Sequence, residues 1–362
     1  MENCPAITGK SMRPGSFLLS LLLSLLCGSV QSFAYVMPVF ASDSVQLTKA
    51  ADLTEAIQFQ SQAQALERRL EGLSTRPKIG LALGGGGARG AAHVGVLKVL
   101  EREGLKFDCV VGTSIGSVVG GFYCLGVKPE EMEEPVVSAR VMRQFMTVPI
   151  AFQVMALPFF YISRFFGVKS YDGLYGGKAF KEHLMAGMST RDVEIEELKI
   201  PFAAVTFNLL DGETYLIKKG HLARAMTASC AVPVLRKPIP IDDYLMSDGG
   251  LVCNLPVKQC REMGADIVIA VNIDEPFDKQ EAEKFRPFGS VGRRAIAWKL
   301  ASIDKPQGMM ADILIHPDTS GISLISTKRA DARRALLAGE KAAEEALPAI
   351  RALLKKVGGS TD

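Results

Sequence analysis

The chain has 362 residues, 48% hydrophobic and 22% charged, a globular composition with length for one large α/β domain or two small ones. Thirty-four glycines without a collagen period and only 18 prolines argue against fibrous and low-complexity designs. Forty-two basic against 39 acidic side chains leave a balance of +3, no electrostatic footprint for nucleic acid, and four scattered histidines without a C-x-x-C pair argue against a metal cage.

Residues 1–41 read as an export signal. Lys10 and Arg13 form a sparse basic region, and Phe17–Val30 is a leucine-rich apolar core too short for a full span. Two small-x-small sites follow, Ser32-Phe33-Ala34 and Val39-Phe40-Ala41, and the second precedes a polar stretch. Cleavage after Ala41 predicts an exported protein, periplasmic or secreted. The alternative is an uncleaved anchor that keeps it on a membrane. Leu26 is too large for a lipoprotein site at Cys27. The remaining cysteines, Cys109, Cys124, Cys230, Cys253 and Cys260, mostly sit in apolar runs and read as buried small hydrophobes rather than a disulfide framework.

Residues 42–76 predict a helical linker, apolar at Leu53, Ile57, Leu66 and Leu70 and ended by Gly72 and Pro77. Then the pattern changes. Lys78–Leu83 (KIGLAL) predicts a buried strand, Gly84–Gly90 a glycine loop and Ala91–Glu103 a helix. Cys109–Val111 starts a second strand, cut short by Gly112, and Ile115–Cys124 follows as an apolar helix. Pro201–Phe207, Ile267–Val271 and Ala311–Ile315 supply further strands, and Lys328–Lys356 a terminal helix. Residues 280–308 are mixed and polar, and read as a surface excursion. Strand–loop–helix at this interval means βαβ units on a mostly parallel sheet. The domain so predicted spans 77–275, with 276–362 an extension completing it.

Three motifs carry chemistry. Gly85, Gly87 and Gly90 satisfy G-x-G-x-x-G between a strand and a helix. Such a loop converges backbone N–H groups on a phosphate or on a developing oxyanion. A dinucleotide site wants an acid at the end of the second strand, where this chain has Gly112. Gly112-Thr113-Ser114-Ile115-Gly116 is instead a G-x-S-x-G, whose small flanks permit a sharp turn that exposes a serine hydroxyl. A serine nucleophile needs a base. His93, His183, His221 and His316 are not flanked like catalytic-loop residues, whereas Asp248 ends an apolar segment and is followed by Gly249 and Gly250. A Ser–Asp dyad is favoured. A Ser–His–Asp triad, as in a general serine carboxylesterase, and a non-catalytic lipid-binding protein are the alternatives.

GGGGARG, GTSIG and DGG, in that order and spacing, resemble the patatin-like phospholipase family. VVGTSIGS at 110–117, ASCAVP at 228–233, DGGLVCNLPV at 248–257 and GADIVIAV at 264–271 resemble its bacterial branch related to neuropathy target esterase. The resemblance covers roughly 77–275. It implies a three-layer α/β/α sandwich with a mostly parallel central sheet, and calcium-independent hydrolysis of lipid acyl esters without metal or other cofactor. Carried over, Ser114 is the nucleophile, Asp248 its base, and Gly85, Gly86 and Gly87 the oxyanion hole. Arg89 would brace the loop or face a lipid phosphate. Asn208 departs from the family, where aspartate is frequent, at a position outside the dyad. The implied partners are phospholipid or lysophospholipid and a membrane surface. The apolar run Phe145–Phe166, broken by Pro149 and Pro158, reads either as buried core or as a lid meeting lipid.

Overall fold

A computed structural model of the chain describes residues 76–146, 171–187, 193–275 and 277–358. The order is β1 (Ile79–Leu83), α1 (Ala91–Arg102), β2 (Cys109–Thr113), α2 (Ile115–Leu125), α3 (Pro129–Val137), α4 (Arg140–Phe145), α5 (Lys178–Gly187) and β3 (Phe202–Asn208). It continues through β4 (Thr214–Ile217), α6 (Leu222–Ser229), β5 (Ile239–Ile241), β6 (Tyr244–Asp248), α7 (Val257–Glu262), β7 (Ile267–Val271), α8 (Ser290–Met310), β8 (Ile313–Ile315) and α9 (Arg329–Gly358).

One eight-stranded sheet runs β5-β6-β3-β2-β1-β7-β8, with β4 added on β3. The pairs β3–β2, β2–β1, β1–β7 and β7–β8 are parallel, and the three pairs made by β4, β5 and β6 are antiparallel. The central strands are buried on both faces, so they read as unbroken apolar runs rather than alternating ones. Their alternate side chains build two cores. Leu81, Leu83, Val110, Phe202, Ile267 and Ile269 pack with α1, α2, α6 and α9 on one face. Ala82, Val111, Ala203, Val205, Val268 and Ala270 are the small residues of the other face, which lets Leu255 and α7 lie close to the sheet. This is an α/β/α sandwich. The α1–α9 packing is at backbone contact: a Cβ on Gly95 would stand 2.1 Å from Leu336 O, and one on Gly339 2.0 Å from Ala92 O.

Several expectations shift. β2 runs through Gly112 to Thr113, because both residues pair with β3 opposite Ala204 and Val205. Residues 280–308 are largely α8, a helix rather than an irregular excursion. Its outer surface is solvent-exposed, so no apolar stripe announces it in sequence. Residues 42–75 of the expected helical linker and the signal at 1–41 lie outside the described residues, as does 147–166 of the apolar run that begins at Phe145. The five described cysteines are buried and unbridged. Among the described residues no helix is long and apolar enough to cross a membrane.

Candidate active site

The topology of β3 brings two distant segments together. β4 occupies one edge of β3 at 204–207, so β2, paired at 202–205, and β6, paired at 206–208, must share the other. They meet there end to end. Thr113 lies opposite Val205 and Asp248 opposite the next residue, Thr206. Ser114 follows Thr113 directly, and its Oγ donates a hydrogen bond of 2.7 Å to Asp248 Oδ2.

Ser114 sits at φ 51°, ψ −123°, a backbone conformation that non-glycine residues rarely hold. The turn is tight on both sides. A Cβ on Gly112 would stand 2.4 Å from Gly116 O, and one on Gly116 2.3 Å from Leu83 O. The strained residue is held by its neighbours: its N–H donates to Ser229 Oγ at 2.9 Å, and Ser229 in turn donates to Val205 O at 2.6 Å. Ser117 Oγ donates to Ser114 O at 2.6 Å.

Asp248 is almost wholly buried, 5% exposed. Burial pushes its carboxyl up to about 6, against the opposing pull of hydrogen bonds from Gly250 N–H and Ser114. Gly250 N–H donates to Oδ1 at 2.8 Å, which leaves Oδ2 to face the serine. Gly249 fits because a Cβ there would stand 2.6 Å from Val205 O. A carboxyl held near neutrality and bonded to the hydroxyl of a serine in a strained turn is an arrangement across which a proton can move.

The glycine loop lies on the other side of Ser114. Gly85 N–H donates to Asn254 O at 3.2 Å, so that amide is committed, which corrects the expectation that Gly85 serves as an oxyanion donor. Its lack of a side chain matters instead, since a Cβ there would press on Asn254 Oδ1 and on Ser114. Ala88 and Arg89 N–H bond to Leu324 O and Gly86 O, and among the described residues no acceptor takes the N–H of Gly86 or Gly87. Both glycines line the cavity beside Ser114. Gly87 has φ 54°, and Gly90 packs against Ile115, so the loop rests on the serine helix.

Arg89 is buried and spent within the protein. Its guanidinium bonds to Asp274 at 3.2 Å, Glu275 at 3.1 Å and Ile322 O at 2.9 Å. It braces the loop. Behind it lies a network that sequence reasoning missed: Asn254 Nδ2 donates to Asp274 at 2.9 Å and to Asp304 of α8 at 2.8 Å. Burial pushes Asp274 up to about 6 and Asp304 up to about 7. Asn254 lies in a stretch that was visible as a motif, but its partners are 20 and 50 residues away.

None of the four histidines lines the cavity. His93 is fully buried beneath the loop, its Nε2 2.8 Å from Gly84 O. Desolvation pushes it down to about 4, so the ring is neutral and Nε2–H is the donor. His221 pairs with Glu194, His316 contacts Asp274 O, and His183 is on α5. Asn208 is structural: its side-chain oxygen accepts from Leu245 N–H at 3.0 Å and ties β3 to β6. Among the described residues no group of three or more His, Cys, Asp or Glu side chains could hold a metal ion.

The dyad opens into a cavity of about 210 Å³ with largely apolar walls, including Met142, Phe145, Phe180, Leu235 and Leu300. Arg236 lies behind that wall, its guanidinium 4.2 Å from the Phe145 ring centre and 4.6 Å from that of Phe180.

The family model described as patatin-like phospholipase matches residues 81–261. The patatin-like phospholipase domain-containing protein 6 of Mus musculus is 35% identical over 207 residues, 57% of this chain and 14% of the relative. Lysophospholipase NTE1 of Mycosarcoma maydis is 36% identical over 208 residues, 58% of this chain and 10% of the relative. The chain thus spans a small part of the length of these relatives. Among solved structures, VipD from Legionella pneumophila aligns with a TM-score of 0.45 at 15% identity, covering 76% of this chain and 67% of that one.

Proposed function

The chain belongs to the patatin-like phospholipase family, and from that footing we propose that it hydrolyses acyl esters of phospholipid or lysophospholipid through a Ser114–Asp248 dyad. The observation that carries the reading is the 2.7 Å Ser114–Asp248 hydrogen bond at the floor of an apolar cavity, beside two amides with no acceptor among the described residues.

Ser114 Oγ attacks the acyl carbonyl as its proton passes to Asp248 Oδ2. The carbonyl oxygen becomes an oxyanion held by Gly86 and Gly87 N–H, each such donor worth about 3 kcal/mol in the transition state. Asp248 returns the proton to the departing alcohol oxygen, the C–O bond breaks, and an acyl-Ser114 ester remains. Asp248 then takes a proton from water, whose oxygen attacks that ester. Collapse frees the fatty acid and returns the proton to Ser114. No step calls for calcium. The export signal expected at residues 1–41 would place the site of action outside the cytoplasm.

A fluorophosphonate probe tests the nucleophile. It should label Ser114 one to one with loss of fatty-acid release, and leave Ser114→Ala unlabelled. Labelling of another residue in step with inactivation would refute the assignment.

A further inference from the structure

The mouth of the cavity is lined by side chains that water does not suit. Ile296 of α8, Leu251 after β6 and Ile325 before α9 line the cavity, yet they are 60%, 42% and 42% exposed. Further large apolar side chains of the same segment are exposed. Phe288 just before α8 is 103% exposed, Val291 65% and Trp298 58%. Apolar groups this exposed and this concentrated mark a contact surface rather than ordinary exterior.

Charge says what the contact is. From 286 to 303 the chain carries Arg286, Arg293, Arg294 and Lys299 and no carboxylate, and of these Arg286 is paired with Glu283 at 3.9 Å. Asp304, the first acid after that run, is turned inward, 3% exposed and bonded to Asn254 and Leu255 N–H. The Arg294 guanidinium lies over Phe277, 3.3 Å from the ring centre. α8 has no single apolar stripe, so what suits an interface here is the cluster of exposed side chains rather than an amphipathic face: rings and aliphatic groups enter the acyl boundary while cations meet headgroup phosphates. A second copy docked on the same patch by two-fold symmetry would set Arg293, Arg294 and Lys299 against their own counterparts, which disfavours self-association there.

We propose that Phe288, the first half of α8 and the rim at Leu251 and Ile325 form the surface that docks on an anionic phospholipid bilayer, with the cavity mouth turned toward lipid. The inference rests on the acyl-hydrolase reading for its purpose, but docking is measurable without turnover.

Trp298 is the chain's single tryptophan, so its emission reports this surface alone. The full chain is titrated with phosphatidylglycerol-containing vesicles and with pure phosphatidylcholine vesicles, and brominated lipid is added as a quencher. The expected result is a blue shift and quenching of Trp298 with the anionic vesicles, weakened by salt and small with phosphatidylcholine alone. The doubly substituted Arg293→Glu, Lys299→Glu protein, changed at two exposed positions, should bind anionic vesicles ~10-fold or more weakly and hydrolyse a soluble short-chain ester as the parent does. Three results would overturn the proposal: no binding to anionic vesicles, co-sedimentation with Trp298 unshifted, or a shift that follows protein concentration without vesicles. The two readings fail separately. Trp298 insertion without lipid hydrolysis would leave docking standing and remove the hydrolase, whereas soluble-ester turnover with an unshifted Trp298 would do the reverse.

Discussion

Replacing Asp248 by asparagine should stop turnover and make the protein more stable. Asparagine can keep the hydrogen bond from Gly250 N–H through its oxygen and donate from its amide to Ser114 Oγ, which reverses the second bond, but it cannot take a proton. In the folded chain burial raises the Asp248 carboxyl from 3.8 to about 6. A folded-state value above the unfolded one means that stability is fully present below the unfolded value and is lost as pH rises through about 6. A rise of roughly two units corresponds to about 3 kcal/mol, at ~1.4 kcal/mol per unit. The parent forgoes that stability at pH 8, and the permanently neutral variant recovers much of it. For a chain of this size the gain is worth a Tm increase of about 3–6 °C. Scanning calorimetry on both proteins at pH 8 and pH 4 is the assay. Asp274 and Asp304 titrate in both and cancel in the difference. The stabilisation should be clear at pH 8 and largely gone at pH 4. A variant no more stable at pH 8, or equally stabilised at both pH values, would refute the electrostatic account, and an active Asp248→Asn would refute the dyad.

The same carboxyl predicts an acid limb in kcat/KM on a soluble ester, with activity lost as pH falls through about 6 because the base becomes protonated; a rate unchanged down to pH 4.5 would exclude Asp248 as the base. His93→Leu removes the donor to Gly84 O and should lower kcat about 10-fold or more with little change in KM, while His93→Gln, whose amide can reach the same oxygen, should recover most of it. Equal kcat for the two variants would show that His93 merely fills space. Ser229→Ala strips Ser114 N–H of its acceptor, so the fold should lose about 1–3 kcal/mol in denaturant melts and kcat should fall as the serine turn relaxes. Unchanged stability and kcat would contradict that role.

Local motifs were legible because each is a turn whose chemistry is written in consecutive residues. The glycine loop, the G-x-S-x-G and the Asp-Gly-Gly turn each depend on small residues at fixed offsets. What binds them into one site depends on register. That β2 and β6 share an edge of β3 follows from strand pairings that no pentapeptide encodes. Which loop amide is free was equally hidden, since Gly85 is taken by Asn254, a residue 169 positions later by their sequence numbers. His93 has no flanking residues that mark a role, and its contact with Gly84 arises only because α1 folds back under the loop. Residues 280–308 looked like a polar excursion because α8 spends most of its surface on solvent, and only Asp304 and a few neighbours face the domain.

The measurement that bears most directly on the account is fatty-acid release from lysophospholipid micelles and phospholipid vesicles, with EDTA present, by the full chain and by its Ser114→Ala form. The account predicts release by the parent from at least one of these lipids and none by the variant, with the two proteins melting alike. Equal release by both, or release by neither while the parent remains folded and bound to the lipid, would contradict it.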